Sequence, residues 1–294
     1  MSHIVRSLLA MTTIYVAAIS QTQYASSYDS VRIAYTDKGK GDIALVFVHG
    51  WSCDRTYWAA QVNAFARSYR VVTIDLAGHG ESGSDRMWWS MEGFGEDIAS
   101  VMDTLNLNNV VLVGHSAAGY SCLEAARLRP VRVIGLVGVD AYRFIAKGYF
   151  DRYFSLREIE RSAASMRHDF SGQMESLVRT RFFSPNAKAE LVDWVAKDMA
   201  SAPPSVAIPS GTYAFTLYRR DYLKHALREV GARIPIFAIN QFERGQIDPS
   251  VFQEHAPRFT VTYIPEVGHF LMMEKPDVFN AELTRILKEI EPNK

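Results

Sequence analysis

The sequence predicts an α/β protein, a mostly parallel sheet covered by helices on both faces and interrupted by a helical insert. Three features of the 294-residue chain carry this reading. Nearly unbroken apolar, β-branched runs mark strands with no solvent-facing side. Segments with helical periodicity alternate with them. That alternation lapses from residue 141 to about residue 230 and then resumes.

The elements follow in chain order. "VRIAYTDKG" alternates apolar and polar residues and ends at a glycine turn, as a half-buried strand does. "IALVFVHG" is a covered strand. "TYWAAQVNAFARS" has Trp58, Val62 and Phe65 at helical spacing. "YRVVTIDLAGHG" is a second covered strand running into a glycine-rich turn. In "SMEGFGEDIASVMDTLNL", Ser90 is an N-cap candidate and Ile98, Met102 and Leu105 return at the helical period. "NVVLVGHS" is a third covered strand, "AAGYSCLEAARLRP" a helix and "VRVIGLVGVD" a fourth strand ending at Asp140. "FDRYFSLREIERSAASM", "MESLVRTRFF" and "KAELVDWVAKDMASAPP" then read as amphipathic helices. "RIPIFAIN" and "FTVTYIPEVG" return to strand character, and "KPDVFNAELTRILKEI" is a closing helix with Pro276 near its start. The expected organisation is a sheet core of residues 26–140 plus 231–294, with residues 141–230 inserted.

Composition narrows the classes of function. Lys plus Arg and Asp plus Glu are balanced at 32 each, which points away from nucleic acid and anionic membrane surfaces. Ahead of the core, "MSHIVRSLLAMTTIYVAAIS" carries Arg6, an apolar run from Leu8 to Ile19 and the small residues Ala18 and Ser20. It reads as a signal peptide over residues 1–20, too short for an integral membrane span. Export to a periplasm or the extracellular space is expected; a buried first element in a cytoplasmic protein is the alternative. Cys53 and Cys122 are too few for a disulfide scaffold, and the sequence leaves open whether they pair or lie buried as thiols.

The chemistry-bearing residues sit at strand ends. In "VVLVGHSAAGYSC", an apolar strand stops at Ser116 and a helix follows at once. A serine hydroxyl becomes a useful nucleophile when a base takes its proton and the backbone exposes Oγ, and a sharp strand-to-helix corner supplies the exposure. Small residues must flank it; Gly114 and Gly119 meet this need, and Ala118 stands where such corners usually have glycine. The helix aims its first N–H groups at the site, so Ala117 N–H is one oxyanion donor. His49-Gly50-Trp51 ends the first covered strand and offers Trp51 N–H as the second. His269 in "EVGHFLMMEKP" follows the last strand, the expected place for a general base. An acid must orient that histidine. Glu243, Asp248 and Asp140 all fall on the correct rim of the sheet, and position favours Glu243 over the other two.

Taken together, these residues resemble the α/β-hydrolase superfamily over nearly the whole chain after residue 25. "VFVHGWSCDRTYW" is similar to its His-Gly oxyanion loop, "DLAGHGESG" to its D-x-x-G-x-G-x-S turn, "VGHSAAG" to its G-x-S-x-G nucleophile elbow and "VGHFLMMEKPDVFN" to its histidine segment. The resemblance implies Ser116 as nucleophile, His269 as base, and Trp51 and Ala117 as oxyanion hole. It also implies an acid some 26 to 28 residues before the histidine; Glu243 is 26 before His269 and Asp248 is 21. "NQFERGQIDP" departs from the usual glycine-then-aspartate, and Ala118 departs from the elbow. The insert matches the family's cap. With serine at the elbow, the alkyl-enzyme chemistry of the aspartate-dependent dehalogenases and epoxide hydrolases is set aside. Ester, thioester, lactone or amide cleavage and carbon–carbon hydrolysis of a diketone remain.

The expected activity is therefore hydrolysis of an apolar, ester-like small molecule with no cofactor and no metal. Tyr142, Phe144, Tyr149, Phe150, Tyr153 and Phe154 would suit an apolar acyl or aryl group, or pack the cap. A capped pocket that binds its ligand without reacting is the rival reading, motivated by Ala118 and the unusual acid loop. "GHGESG" fits a dinucleotide fingerprint through Gly78, Gly80 and Gly83, but "SDRMWWSM" makes no helix start for a pyrophosphate. His49, His79, His115 and His269 lack metal-ligand spacing. Trp88 and Trp89 either line an entrance or pack a loop, and Asp97 is a structural anchor or a solvated residue.

Overall fold

The computed structural model describes residues 21–143, 155–217, 222–243 and 246–291. Among the described residues, eight strands form one sheet in the order β1-β2-β4-β3-β5-β6-β7-β8. They are β1 (Gln23–Ser26), β2 (Arg32–Lys38), β3 (Ala44–Val48), β4 (Arg70–Ile74), β5 (Val110–His115), β6 (Val133–Val139), β7 (Ile236–Gln241) and β8 (Phe259–Ile264). β2 pairs antiparallel with β1 and β4, and the pairings from β4 across to β8 are parallel.

The helices between the strands are α1 (Ala59–Phe65), α2 (Met91–Thr104) and α3 (Ala118–Leu128). Between β6 and β7 come α4 (Leu156–His168), α5 (Phe170–Leu177), α6 (Ala189–Ala200), α7 (Pro204–Leu217) and α8 (Tyr222–Gly231). Short α9 (Ser250–Gln253) precedes β8; α10 (Leu271–Glu274) and α11 (Pro276–Ile290) follow it. Ser90 caps α2 by accepting from Gly93 N–H, and Pro276 opens α11, as the sequence anticipates.

The covered strands are apolar throughout because each faces two cores. Val46, Val48, Val72, Ile74, Leu112 and Leu136 point to one, packed by α2, α3 and α8. Leu45, Phe47, Val71, Val111, Val113 and Val137 point to the other, packed by α11, by Trp58 just before α1 and by Phe65 at its end. Adjacent residues of a strand alternate between faces, so both registers must be apolar. β1 and α7 are among the elements that escaped the sequence reading. β1 is four residues of mixed polarity at the sheet edge. α7 carries Pro209 in its interior, which removes one helical donor and masks the pattern. α8, the last helix before β7, buries Leu223, Ala226, Leu227 and Val230 in the same core as α3. It therefore packs with the sheet and not with α4–α6.

The glycine-rich turn after β4 is held by its own acid. Asp75 accepts from the backbone N–H of Arg55 and Glu81 at 2.7 and 2.9 Å and pairs with the Arg55 guanidinium. Gly80, at φ 50, passes so close that a Cβ would sit 2.3 Å from Asp75 Oδ2. "GHGESG" is thus a backbone turn in which Gly80 is needed for its shape. Asp97 is an anchor: its fully buried carboxylate receives Ser27 Oγ at 2.5 Å, Ala77 N–H at 3.2 Å and two Arg86 nitrogens at 2.5 and 3.0 Å. Trp88 is exposed; Trp89 is buried against Gly78 and Phe94. Among the described residues no helix is long and apolar enough to cross a membrane. Residues 1–20, read above as a signal peptide, and Phe144, Tyr149, Phe150, Tyr153 and Phe154 lie outside the described residues.

Removing one partner of a buried ion pair leaves the other charge uncompensated, which costs about 3–5 kcal/mol. Asp97→Ala is expected to lower the unfolding free energy by that amount in urea titrations. A loss under about 1 kcal/mol would show that the Arg86 network does not hold β1 to α2.

Candidate active site

Two strand ends carry left-handed backbone that non-glycine residues seldom adopt. Ser116, next after β5, has φ 55, and Asp140, next after β6, has φ 45. Both are held by the neighbouring strand: Ser116 N–H donates to Val139 O at 2.8 Å, and Asp140 N–H to Ile239 O at 2.9 Å. The strain turns each side chain out of the sheet toward one apolar cavity of about 680 Å³, which Ser116, Asp140 and His269 all line.

The elbow tolerates Ala118. A Cβ at Gly114 would meet the Ala118 carbonyl at 2.7 Å and Cys122 Sγ at 2.8 Å, so that position must stay bare. A Cβ at Gly119 would meet Ala141 Cβ at 2.9 Å, so the turn after β6 presses there. Ala118 itself is buried beside a small gap bordered by His49, Leu76 and Phe94. The close approaches fall at 114 and 119, and a methyl fits at 118. Cys53 and Cys122 are separate buried thiols.

His269 Nδ1 lies 2.6 Å from Asp140 Oδ2. The carboxylate on the His269 ring is therefore Asp140, where the sequence reading favoured Glu243. Glu243 is exposed and accepts from Glu266 N–H, while Asp248 is exposed and accepts from Ser250 N–H at 2.9 Å. The reason lies at the end of β7, where two neutral amides stand. Asn240 Oδ1 accepts Ala141 N–H at 3.1 Å, and Gln241 Nε2 donates to Asp140 Oδ2 at 2.8 Å. The end of β7 therefore holds this carboxylate in place, and the turn after β6 carries it. Asp140 directly after a covered strand, facing "NQ" after the next, is the signal that spacing by family habit overlooks.

The histidine is clamped from both sides. Its N–H donates to Phe182 O at 2.6 Å, within a π-turn (Val178–Phe182) that follows α5. Its carbonyl lies 2.9 Å from His115 Nε2, whose ring centroid is 4.5 Å from that of His269. Glu274 ties the same loop to the insert, accepting Gly268 N–H at 2.7 Å and Ser184 Oγ at 2.7 Å. Phe182, His115 and Glu274 have positions here that sequence reasoning missed; only His115, inside the elbow motif, carried any signal.

The proposed oxyanion loop packs against the elbow. A Cβ on Gly50 would fall 2.6 Å from His115 Nδ1 and 3.3 Å from Ser116 Cβ, so only glycine allows the approach. Trp51 and Ala117 line the cavity beside Ser116. Trp51 Nε1 donates to Ala207 O of α7 at 2.7 Å, fastening the loop to the insert. Beneath it, His49 Nδ1 lies 2.8 Å from Gly50 O while its Nε2 accepts Leu76 N–H at 3.0 Å. Ile159, Met166, Leu177, Met199, Ile208 and Phe215 of the inserted helices form much of the remaining wall. Trp88 and Trp89 are not among the lining residues.

Burial holds three imidazoles neutral. Loss of solvent pushes His49 down to about 4, and His79 and His115 down to about 3.

A model of the alpha/beta hydrolase family matches residues 45–282. The chain is 27% identical over 259 residues to the dihydrolipoyllysine-residue acetyltransferase component of an acetoin cleaving system from Pseudomonas putida. That alignment covers 85% of this chain and 65% of the relative, so the chain spans under two thirds of that protein. A bifunctional esterase/perhydrolase from Acinetobacter calcoaceticus is 36% identical over 100 residues, 33% of this chain and 36% of the other. The solved structure of a thermophilic esterase from Thermogutta terrifontis superposes with a TM-score of 0.75 at 22% identity, covering 93% of this chain and all of that one.

The three buried imidazoles predict acid lability. Their folded values lie below the 6.5 of an exposed imidazole, so the unfolded chain binds more protons as pH falls. Their contribution to stability is complete above about pH 6.5 and is lost as pH drops toward 4 and then 3. Urea unfolding at stepped pH should show a slope of up to about 4 kcal/mol per pH unit below pH 6. A flat profile between pH 6.5 and 5 would show that these rings are not held neutral.

Proposed function

The chain belongs to the α/β-hydrolase family, and from that premise we propose that it is a serine hydrolase. Its substrate is an ester, or a related acyl compound, of a small to medium apolar molecule. The observation that carries this reading is the buried Asp140 carboxylate on His269 Nδ1, in the cavity that Ser116 also lines. A histidine whose Nδ1 is engaged by a carboxylate keeps one tautomer and one orientation, and its other nitrogen serves as the base.

In the first step Ser116 Oγ attacks the acyl carbon while His269 Nε2 takes the hydroxyl proton. The N–H groups of Trp51 and Ala117 receive the charge that develops on the carbonyl oxygen; such a donor is worth about 3–4 kcal/mol. His269 then protonates the departing alcohol, leaving an acyl group on Ser116. Water attacks that ester with His269 as base, the acid is released, and serine is restored. Helices α4–α7 roof the site and act as its cap, and their apolar side chains fit an aliphatic or aryl group.

Ser116→Ala is expected to abolish both fluorophosphonate labelling and turnover of p-nitrophenyl esters of rising acyl length. Asp140→Asn should lower kcat by about a thousandfold or more, because the amide supports the wrong imidazole tautomer. Glu243→Gln should leave kcat within about twofold, the usual range for an exposed site. A folded wild-type protein that takes up no fluorophosphonate would instead be a ligand-binding member of the fold. A larger loss from Glu243→Gln than from Asp140→Asn would return the acid to the end of β7.

A further inference from the structure

The polar cage around Asp140 includes a cation that the acyl-transfer scheme does not use. Arg143 is 3% exposed, yet it lines the cavity. Its Nε donates to Asp140 Oδ1 at 3.1 Å, and its guanidinium also donates to the Gln241 carbonyl. Gln241 completes the cage, its N–H 3.4 Å from Oδ1 and its side-chain amide 2.8 Å from Oδ2. One carboxylate oxygen therefore faces Arg143 and the other faces His269.

A buried carboxylate without a cation is costly and strongly favours a protonated imidazole beside it. A base that is already protonated at neutral pH cannot accept a serine proton. A cation on the far oxygen relieves both problems, and a bridge to the next strand stops the carboxylate from rotating. We propose that Arg143 is a positioning residue for this hydrolase, bridging Asp140 to the end of β7 so that the carboxylate stays aimed at His269 and its charge is offset. The inference rests on the acyl-transfer reading above for its consequence in turnover.

Other titratable and charged groups contact His269 or its loop, or line the same cavity. His115 lies at the end of β5, Glu274 on α10 receives the neighbouring Gly268 N–H, and Glu158 and Arg181 come from the insert across the cavity. Arg143 differs from these in its direct bond to the carboxylate that His269 itself contacts.

The test is a histidine titration by NMR on the full chain labelled at the imidazole carbons, with His269→Gln used to assign the signal. In Arg143→Met the His269 midpoint should rise by about one pH unit. The acidic limb of kcat/KM should move up with it, and kcat should fall about tenfold or more while KM stays within about threefold. Arg143→Lys keeps the charge and loses the bridge, so the midpoint should hold while kcat falls about three- to tenfold. An unchanged midpoint in a folded Arg143→Met protein overturns the proposal, as does a change confined to KM, which would make Arg143 a wall of the cavity. Where Arg143→Met does not fold, wild-type kcat in Arg143→Lys overturns it. The titration needs no substrate, so wild-type protein inactive on every ester would defeat the proposed function while the midpoint still judged Arg143.

Discussion

Adjacent parallel strands that end in left-handed residues are the constraint on which the site depends. β5 and β6 run side by side, regularly paired from Val111 to His115, and each gives way to a residue with positive φ, Ser116 and Asp140. Such backbone is unfavourable for serine and aspartate in isolation, of order 1–3 kcal/mol each. It persists because the next strand takes the N–H of each corner. Without the neighbours' carbonyls, neither side chain would be turned into the cavity.

This arrangement explains how the insert and the sheet share the site. Helices of the insert line the cavity, and the same insert bonds to the loops beneath it. Phe182 O receives the His269 N–H, Ala207 O receives the Trp51 indole, and Ser184 shares Glu274 with Gly268. The histidine loop and the Gly50 loop are thus each anchored to inserted helices as well as to the core. Catalytic geometry in the proposed reaction depends on the insert's position, because a displacement of about 1 Å in a reacting group is costly.

The buried polar groups follow one rule, that a charge withdrawn from water finds a partner. Asp97 has Arg86 and Ser27, Asp75 has Arg55, and Asp140 has Arg143 and His269. The imidazoles that lack such a carboxylate contact, His49, His79 and His115, are driven neutral, and His49 and His115 serve as hydrogen-bonding struts behind the Gly50 loop and the histidine loop. Neutrality matters there, since a cation at His115 would lie against the His269 ring and oppose its protonation.

Periodicity and local chemistry in the chain were enough to determine the covered strands, the capped start of α2, the helical insert, the serine at a sharp corner and the histidine after the last strand. These are matters of alternation, side-chain volume and hydrogen bonding within a few residues, so they are legible in order along the chain. The carboxylate that meets this histidine was not. Glu243, Asp248 and Asp140 are chemically equivalent as text, and spacing favoured Glu243, whereas Asp140 lies against His269. Tertiary structure alone distinguishes them, because only the packed sheet places Asn240 and Gln241 beside the turn after β6 and leaves Glu243 facing Glu266. The contacts of Arg143 with Gln241, Phe182 with His269 and Glu274 with Ser184 likewise join residues 98, 87 and 90 positions apart, and no local pattern records such distances.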